Sequence, residues 1–177
     1  MSRFKRIPTE LAGLVIVERT QIGDERGFFS RFFCQEELDD FGSTGVIAQI
    51  NHTMTGVRGV IRGMHFQRSP HDEAKLVSCV VGAIFDVAVD MRPDSPTYLK
   101  WHGEVLSAEN ARSMMVPGGF AHGFQTLTDN CELIYLHDKP YVGHAEGGLN
   151  ALDPRLNIAW PIDVTQMSER DRNFAFI

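Results

Sequence analysis

Short runs of β-branched and aromatic residues recur along the chain, each closed by Gly, Asn, Asp or Pro, with little of the three-to-four-residue spacing of an amphipathic helix. Leu14-Val15-Ile16-Val17 reads as a strand, followed by the turn Gly23-Asp24-Glu25-Arg26-Gly27 and a second strand, Phe28-Phe29-Ser30-Arg31-Phe32-Phe33. Residues 46–53 and 59–67 are extended, and 75–81 form a β-rich run bounded by Gly82. In the next run, 83–90, Phe85, Val87 and Val89 alternate against Asp86, Ala88 and Asp90. Further short strands are expected over 98–106, 113–116, 123–127 and 132–136, while the first eight residues read as a tail. Helix is expected in two places only: Gln35 to Phe41, stopped by Gly42, and near the C-terminus. Strands at such regular spacing point to an all-β sandwich or barrel, one domain over residues 1–177.

Composition narrows the possibilities. A chain of 177 residues, 43% hydrophobic and 23% charged, has enough material for one sizeable core. Its net charge of −6 argues against nucleic acid or an anionic membrane as a partner, so any anionic ligand must be held by a local cluster of cations. Neither a signal peptide nor a run of transmembrane length is expected. Cys34, Cys79 and Cys131 are widely spaced, with no CxxC, which suits reduced thiols in the cytoplasm.

The stretch Gly59-Val60-Ile61-Arg62-Gly63-Met64-His65-Phe66-Gln67 carries the clearest chemistry. On a regular strand, Gly63 and His65 share one face, Arg62 and Met64 the other. A titratable base beside a fixed cation suits an anionic substrate. Inward-facing positions of different strands converge in a small barrel, which would gather His65, Lys75, His122 and Tyr135 with the more distant Asp171. These residue types suit proton abstraction beside a carbonyl. Imidazole takes the proton, a carboxylate orients it, a lysine steadies the enolate, and a phenol returns a proton from the other side. Each also has a structural role open to it: Lys75 as a strand end, Tyr135 bonded to backbone, Asp171 as first-turn charge in Ser168-Glu169-Arg170-Asp171. A metal site built from His52, His65, His122 and Glu132 is disfavoured, because no HxH is present and Arg62 and Lys75 would oppose a divalent ion.

The motifs in their order resemble the dTDP-4-dehydrorhamnose 3,5-epimerase family and its relatives acting on other nucleotide-linked 4-keto-6-deoxysugars. The matching pieces are Gly23-Asp24-Glu25-Arg26-Gly27-Phe28-Phe29, Gln49-Ile50-Asn51, Ile61 to Gln67, Lys75-Leu76-Val77 and Gly82 to Asp90. They continue with Leu106 to Asn110, Val116 to Phe124, Ile158-Ala159-Trp160-Pro161 and Ser168 to Asp171. The resemblance implies a double-stranded β-helix (a cupin-like jelly roll) with short peripheral helices, working as a homodimer without metal or organic cofactor on a nucleotide-diphosphate sugar. It implies His65 as general base, Asp171 as its orienting carboxylate and Tyr135 as proton donor. Lys75 and His122 would contact the sugar. Arg26, Phe29, Gln49, Asn51, Arg62, Glu146 and Arg170 would bind substrate, Arg62 and Arg170 at the diphosphate, with Tyr141 stacking on the base.

Three positions depart from the family pattern. Arg31 stands where a glutamate is usual, Ile50 replaces an aspartate, and Asn150-Ala151-Leu152-Asp153-Pro154 lacks a tryptophan before its Asp-Pro. The reaction class is therefore better defined than the substrate. Inversion at one carbon, another nucleotide sugar, and a non-catalytic sugar-nucleotide-binding cupin remain open alternatives.

Overall fold

Period-two patterning in the sequence is realised as thirteen strands in a computed structural model that describes residues 2–38 and 46–177. In chain order they are β1 (Phe4–Pro8), β2 (Val15–Arg19), β3 (Gln21–Asp24), β4 (Gly27–Ser30), β5 (Gln49–Thr55), β6 (Ile61–Gln67) and β7 (Lys75–Val81). Then come β8 (Ala83–Asp90), β9 (Trp101–Ser107), β10 (Arg112–Val116), β11 (Phe120–Thr126), β12 (Cys131–His137), a 3₁₀ turn (Gly143–Ala145), β13 (Glu146–Gly148) and a short α-helix, α1 (Glu169–Arg172). One sheet runs β1-β2-β10-β7-β12-β5 and the other β13-β6-β11-β8-β9, while β3 and β4 pair only with each other. All pairings between these strands are antiparallel, and the two large sheets form a jelly roll. No helix among the described residues is long and apolar enough to cross a membrane.

Between the sheets, Leu14, Ile84, Leu106, Met114 and Leu133 are fully buried in one cluster. Each contributes about 1.5–3 kcal/mol by leaving water. The core fills only part of the space. Along the inner face of β12, Cys131 and Leu133 lie in the cluster, Tyr135 packs against it, and His137 follows. On β7, Cys79 and Val77 are core and Lys75 is the next inward residue. Apolar filling thus gives way to polar side chains on neighbouring strands at the same level, which opens a cavity there.

Several expectations change. Residues 4–8 are an edge strand rather than a tail, with Pro8 at its end, where no ladder donor is needed. The second expected strand stops at Ser30. Of the expected helix at 35–41, residues 35–38 form a turn and the rest lie outside the described residues. Glu37 accepts from the Ser2 hydroxyl and the Arg3 amide, which ties this turn to the N-terminal strand. The C-terminal helix is present, with Ser168 Oγ accepting from the Asp171 amide at 3.0 Å.

The most consequential change lies in β6. Ile61 and Met64 are both buried in a second cluster beneath the C-terminal segment, while Arg62 and His65 both face the cavity. Simple alternation would have separated that last pair. The register with β11 shifts by one residue between the His65–His122 and Arg62–Phe124 partners. Gly63, at φ +130°, sits inside this irregularity, and a Cβ there would lie 2.5 Å from the Gly123 Cα. Only glycine combines that backbone conformation with so close an approach of β11.

Candidate active site

His65 projects from β6 in the five-stranded sheet, and Tyr135 from β12 in the six-stranded sheet. They line opposite walls of a cavity of about 300 Å³ that also takes in Lys75 and His122. His122 is the cross-strand partner of His65, and its ring meets Tyr135 edge-on, with centroids 6.0 Å apart.

His65, His122 and Lys75 each have a carboxylate partner. His65 Nε2 lies 2.8 Å from Asp171 Oδ1, while Asp171 Oδ2 accepts from the Gly63 amide at 3.2 Å. Burial alone would push the Asp171 carboxyl up, but His65, the Gly63 amide and Ser168 together hold it below its ordinary value. An Nε2 that donates to this carboxylate leaves Nδ1 as the nitrogen open to accept a proton. The buried His122 places Nε2 2.8 Å from Asp86 Oδ1. Lys75 Nζ is 2.9 Å from Glu73 Oε1, and Glu73 Oε2 accepts from Gln67 Nε2 at 2.8 Å. Burial of Glu73 is outweighed by the charge and hydrogen bond of Lys75, which keep its carboxyl below the usual range. Tyr135 is pushed well above the usual phenol value, chiefly by burial and further by the charge of Asp86, so it carries its proton at neutral pH.

Arg170 stands at the rim. Its Nη1 is 3.0 Å from Glu146 Oε2, which also accepts from the Tyr141 hydroxyl at 3.0 Å. Its Nη2 lies 2.9 Å from the same His65 Nε2 that meets Asp171. One ring nitrogen cannot donate to a carboxylate and accept from a guanidinium at once. An exposed pair such as Arg170–Glu146 is worth about 0–1 kcal/mol, so an incoming anion can draw Arg170 away. Arg62, by contrast, has no carboxylate within ion-pair distance among the described residues and contacts only the Thr55 hydroxyl, at 3.2 Å.

The expected site residues are mostly gathered. Asn51, Arg62, Lys75, His122, Tyr141, Glu146 and Arg170 join His65 and Tyr135 around the cavity, with Asp171 behind the base. Gln49 lies at the rim, its Oε1 accepting from the Tyr141 amide and its Nε2 donating to Asn51. Arg26 and Phe29 are not brought there within one chain. They occupy the separate β3–β4 hairpin, where Arg26 pairs with Asp24 and Phe29 is 64% exposed.

Asp86, Glu73, Gln67 and His137 escaped sequence reasoning. Glu73 and His137 each lie two positions from an expected site residue, a signal that period two could have supplied. Gln67, two positions beyond His65, carries the same signal, and Asp86 is identified by register and hydrogen bonding alone. The residues weighed as metal ligands do not converge. His52 pairs with Glu132 on an exposed face, while His65 and His122 are held by different carboxylates.

The departures from the family pattern also find their places. Ile50 alternates with the cavity residue Asn51 and is 61% exposed on the outer face of β5. Arg31 is ion-paired with Glu37. Asn150 Nδ2 donates to the carbonyls of Arg172 and Phe174, anchoring the segment that carries Asp171.

Residues 8–177 match the family model of dTDP-4-dehydrorhamnose 3,5-epimerase. The chain is 44% identical to the Shigella flexneri protein of that name over 168 residues, covering 94% of this chain and 92% of that one. With its Methanothermobacter thermautotrophicus counterpart it shares 41% identity, across 98% of this chain and 95% of the other. The crystal structure of dTDP-4-dehydrorhamnose 3,5-epimerase from Bacillus anthracis with TDP and PPi bound superposes with a TM-score of 0.92 at 37% identity, covering 98% of this chain and 99% of that one.

Proposed function

The chain belongs to the dTDP-4-dehydrorhamnose 3,5-epimerase family, and on that premise we propose how its cavity epimerises C3, C5 or both of a nucleotide-linked 4-keto-6-deoxyhexose. The C4 ketone acidifies the protons on both neighbouring carbons. His65 removes one of them, and Asp171 stabilises the imidazolium that results. Electron density moves onto the C4 oxygen, where Lys75 and His122 bear on the enolate. Tyr135 then delivers a proton to the opposite face of the carbon, and the configuration inverts. The observation that carries this reading is the placement of base and phenol on opposite walls of one cavity. A single group, or two on the same wall, would exchange the proton without inverting the carbon.

Arg62, with no carboxylate to satisfy, is the group on which the diphosphate settles, and Arg170 turns to it from Glu146. That move leaves His65 Nε2 to Asp171 alone. Tyr141, exposed at the rim, offers a face for the nucleobase.

Incubation with dTDP-4-keto-6-deoxyglucose in deuterated water tests the reaction. Label appearing at C3 and C5 marks a double epimerase, and label at one carbon a mono-epimerase. Absence of label on this and other nucleotide ketosugars would overturn the assignment in favour of a binding module.

The β3–β4 hairpin suits a homodimer. Ile22, Phe28 and Phe29 are about half to two-thirds exposed there, as are Ile50 and Met54 on the outer face of β5, and a second copy is the partner that would cover them. In that arrangement Arg26 and Phe29 reach the site of the partner subunit. Sedimentation at micromolar concentration should give a dimer. A monomer with full turnover would remove the hairpin from the site. Free Cys34, Cys79 and Cys131 suit the reducing cytoplasm.

A further inference from the structure

His137 is an unassigned titratable side chain in the cavity wall. It lies two residues beyond Tyr135 on the same face of β12, opposite Gln49 of β5 and Lys75 of β7. The imidazole and the phenol are near parallel, 25° apart with centroids separated by 6.2 Å. His122 approaches the same phenol edge-on at 79°. The ring of Tyr135 therefore meets two imidazoles, one in each geometry that aromatic pairs favour.

Both flanking rings are themselves held. Asp86 fixes His122. His137 Nε2 lies 3.4 Å from Asn51 Nδ2, an amide that can only donate, so that nitrogen is the acceptor. Burial, reinforced by the charge of Lys75, pushes His137 down to about 4, which keeps the ring neutral at pH 7. A neutral ring can accept from Asn51 and brace the phenol without placing a second cation beside Lys75.

We propose that His137 is a positioning residue for Tyr135, setting how often the enolate is protonated from the Tyr135 wall rather than from the His65 wall. This rests on the roles of His65 and Tyr135 given above. Each enolate has two fates. Return of a proton from His65, after the imidazolium has exchanged with solvent, regenerates substrate carrying a solvent hydrogen, and delivery from Tyr135 gives the inverted product. The first makes no use of the phenol. The second needs the phenol at a fixed distance and angle, and a displacement of about 1 Å can cost on the order of 100-fold in rate.

The test measures both fates in deuterated water with dTDP-4-keto-6-deoxyglucose: label in recovered substrate, and inverted product. In His137→Ala, inverted product should fall at least about tenfold while label in recovered substrate falls no more than about twofold. His137→Phe, which keeps the ring plane and loses the Asn51 contact, should recover most of the inversion. His137→Gln, which keeps a polar group without the ring, should resemble His137→Ala and serves in its place if the alanine variant does not fold. Equal losses in both fates, no change in either, or a glutamine variant that inverts normally would overturn the proposal. Tyr135→Phe separates the proposal from its premise. If that variant does not lose inversion relative to exchange, the donor assignment fails first. If it does and the His137 variants do not, the proposal alone fails.

Discussion

Replacing His65 with alanine lowers the wash-in of solvent deuterium at both carbons by about 10²–10⁴-fold, the span a positioned general base contributes. The side chain is 31% exposed and lines the cavity, outside the packed clusters, so the expected loss is chemical with the fold intact. Met64, its buried neighbour, and not His65, belongs to the packed cluster on the other side of the strand. The measurement is single-turnover exchange together with a thermal melt. Activity within about threefold of the unaltered protein would refute His65 as the base, because losing a general base costs far more than that.

Asp171→Asn should be nearly as damaging, at about 10²–10³-fold in kcat with KM little changed. The reason is a conflict of donors. Asp171 Oδ1 faces His65 Nε2 and Oδ2 faces the Gly63 amide, so both oxygens act as acceptors. An asparagine has one acceptor and one donor. If its oxygen keeps the Gly63 amide, its NH₂ points at Nε2 and forces the imidazole proton to the other nitrogen. If its oxygen keeps Nε2, NH₂ meets N–H at Gly63. Either way no negative charge remains for the imidazolium. Equal kcat in the variant and the unaltered protein, with the fold intact, would reduce Asp171 to a helix-terminus charge.

Sequence patterning was most informative about where strands lie and which of their residues meet. β8 and β12 lie where alternation places them, and His65, Lys75, His122 and Tyr135 converge as inward-facing residues of a barrel should. It failed where another element intervenes. Glu37 sits in a Gln-Glu-Glu-Leu stretch that favours helix, yet its carboxylate is claimed by Ser2, Arg3 and Arg31, contacts that helix propensity does not register. Arg62 and His65 share the cavity because the pairing slips at Gly63, and a slip is invisible in a one-strand reading. Asp86 escaped for a related reason. It alternates among Val87, Val89 and Phe85 like any outward polar residue, and only the β8–β11 register reveals His122 as its neighbour. Of the three carboxylates behind the site, Asp171 was expected from the family motifs while Glu73 and Asp86 were not, and their partners lie 2, 36 and 106 positions away for Glu73, Asp86 and Asp171 respectively.

That last distance has a bearing on how the protein is made. His65 emerges from the ribosome early, and all thirteen strands have been synthesised by Gly148, but the carboxylate that orients the base arrives only with α1. The cluster between the sheets draws its buried residues from Leu11 to Leu133, whereas the second cluster takes Leu149, Ala151, Leu156 and Met167 from the same C-terminal segment that carries Asp171. Docking of the segment anchored by Asn150 against Gly63 therefore completes the second cluster and gives the base its carboxylate in one event, so the last part of the core and the first part of the chemistry are assembled together.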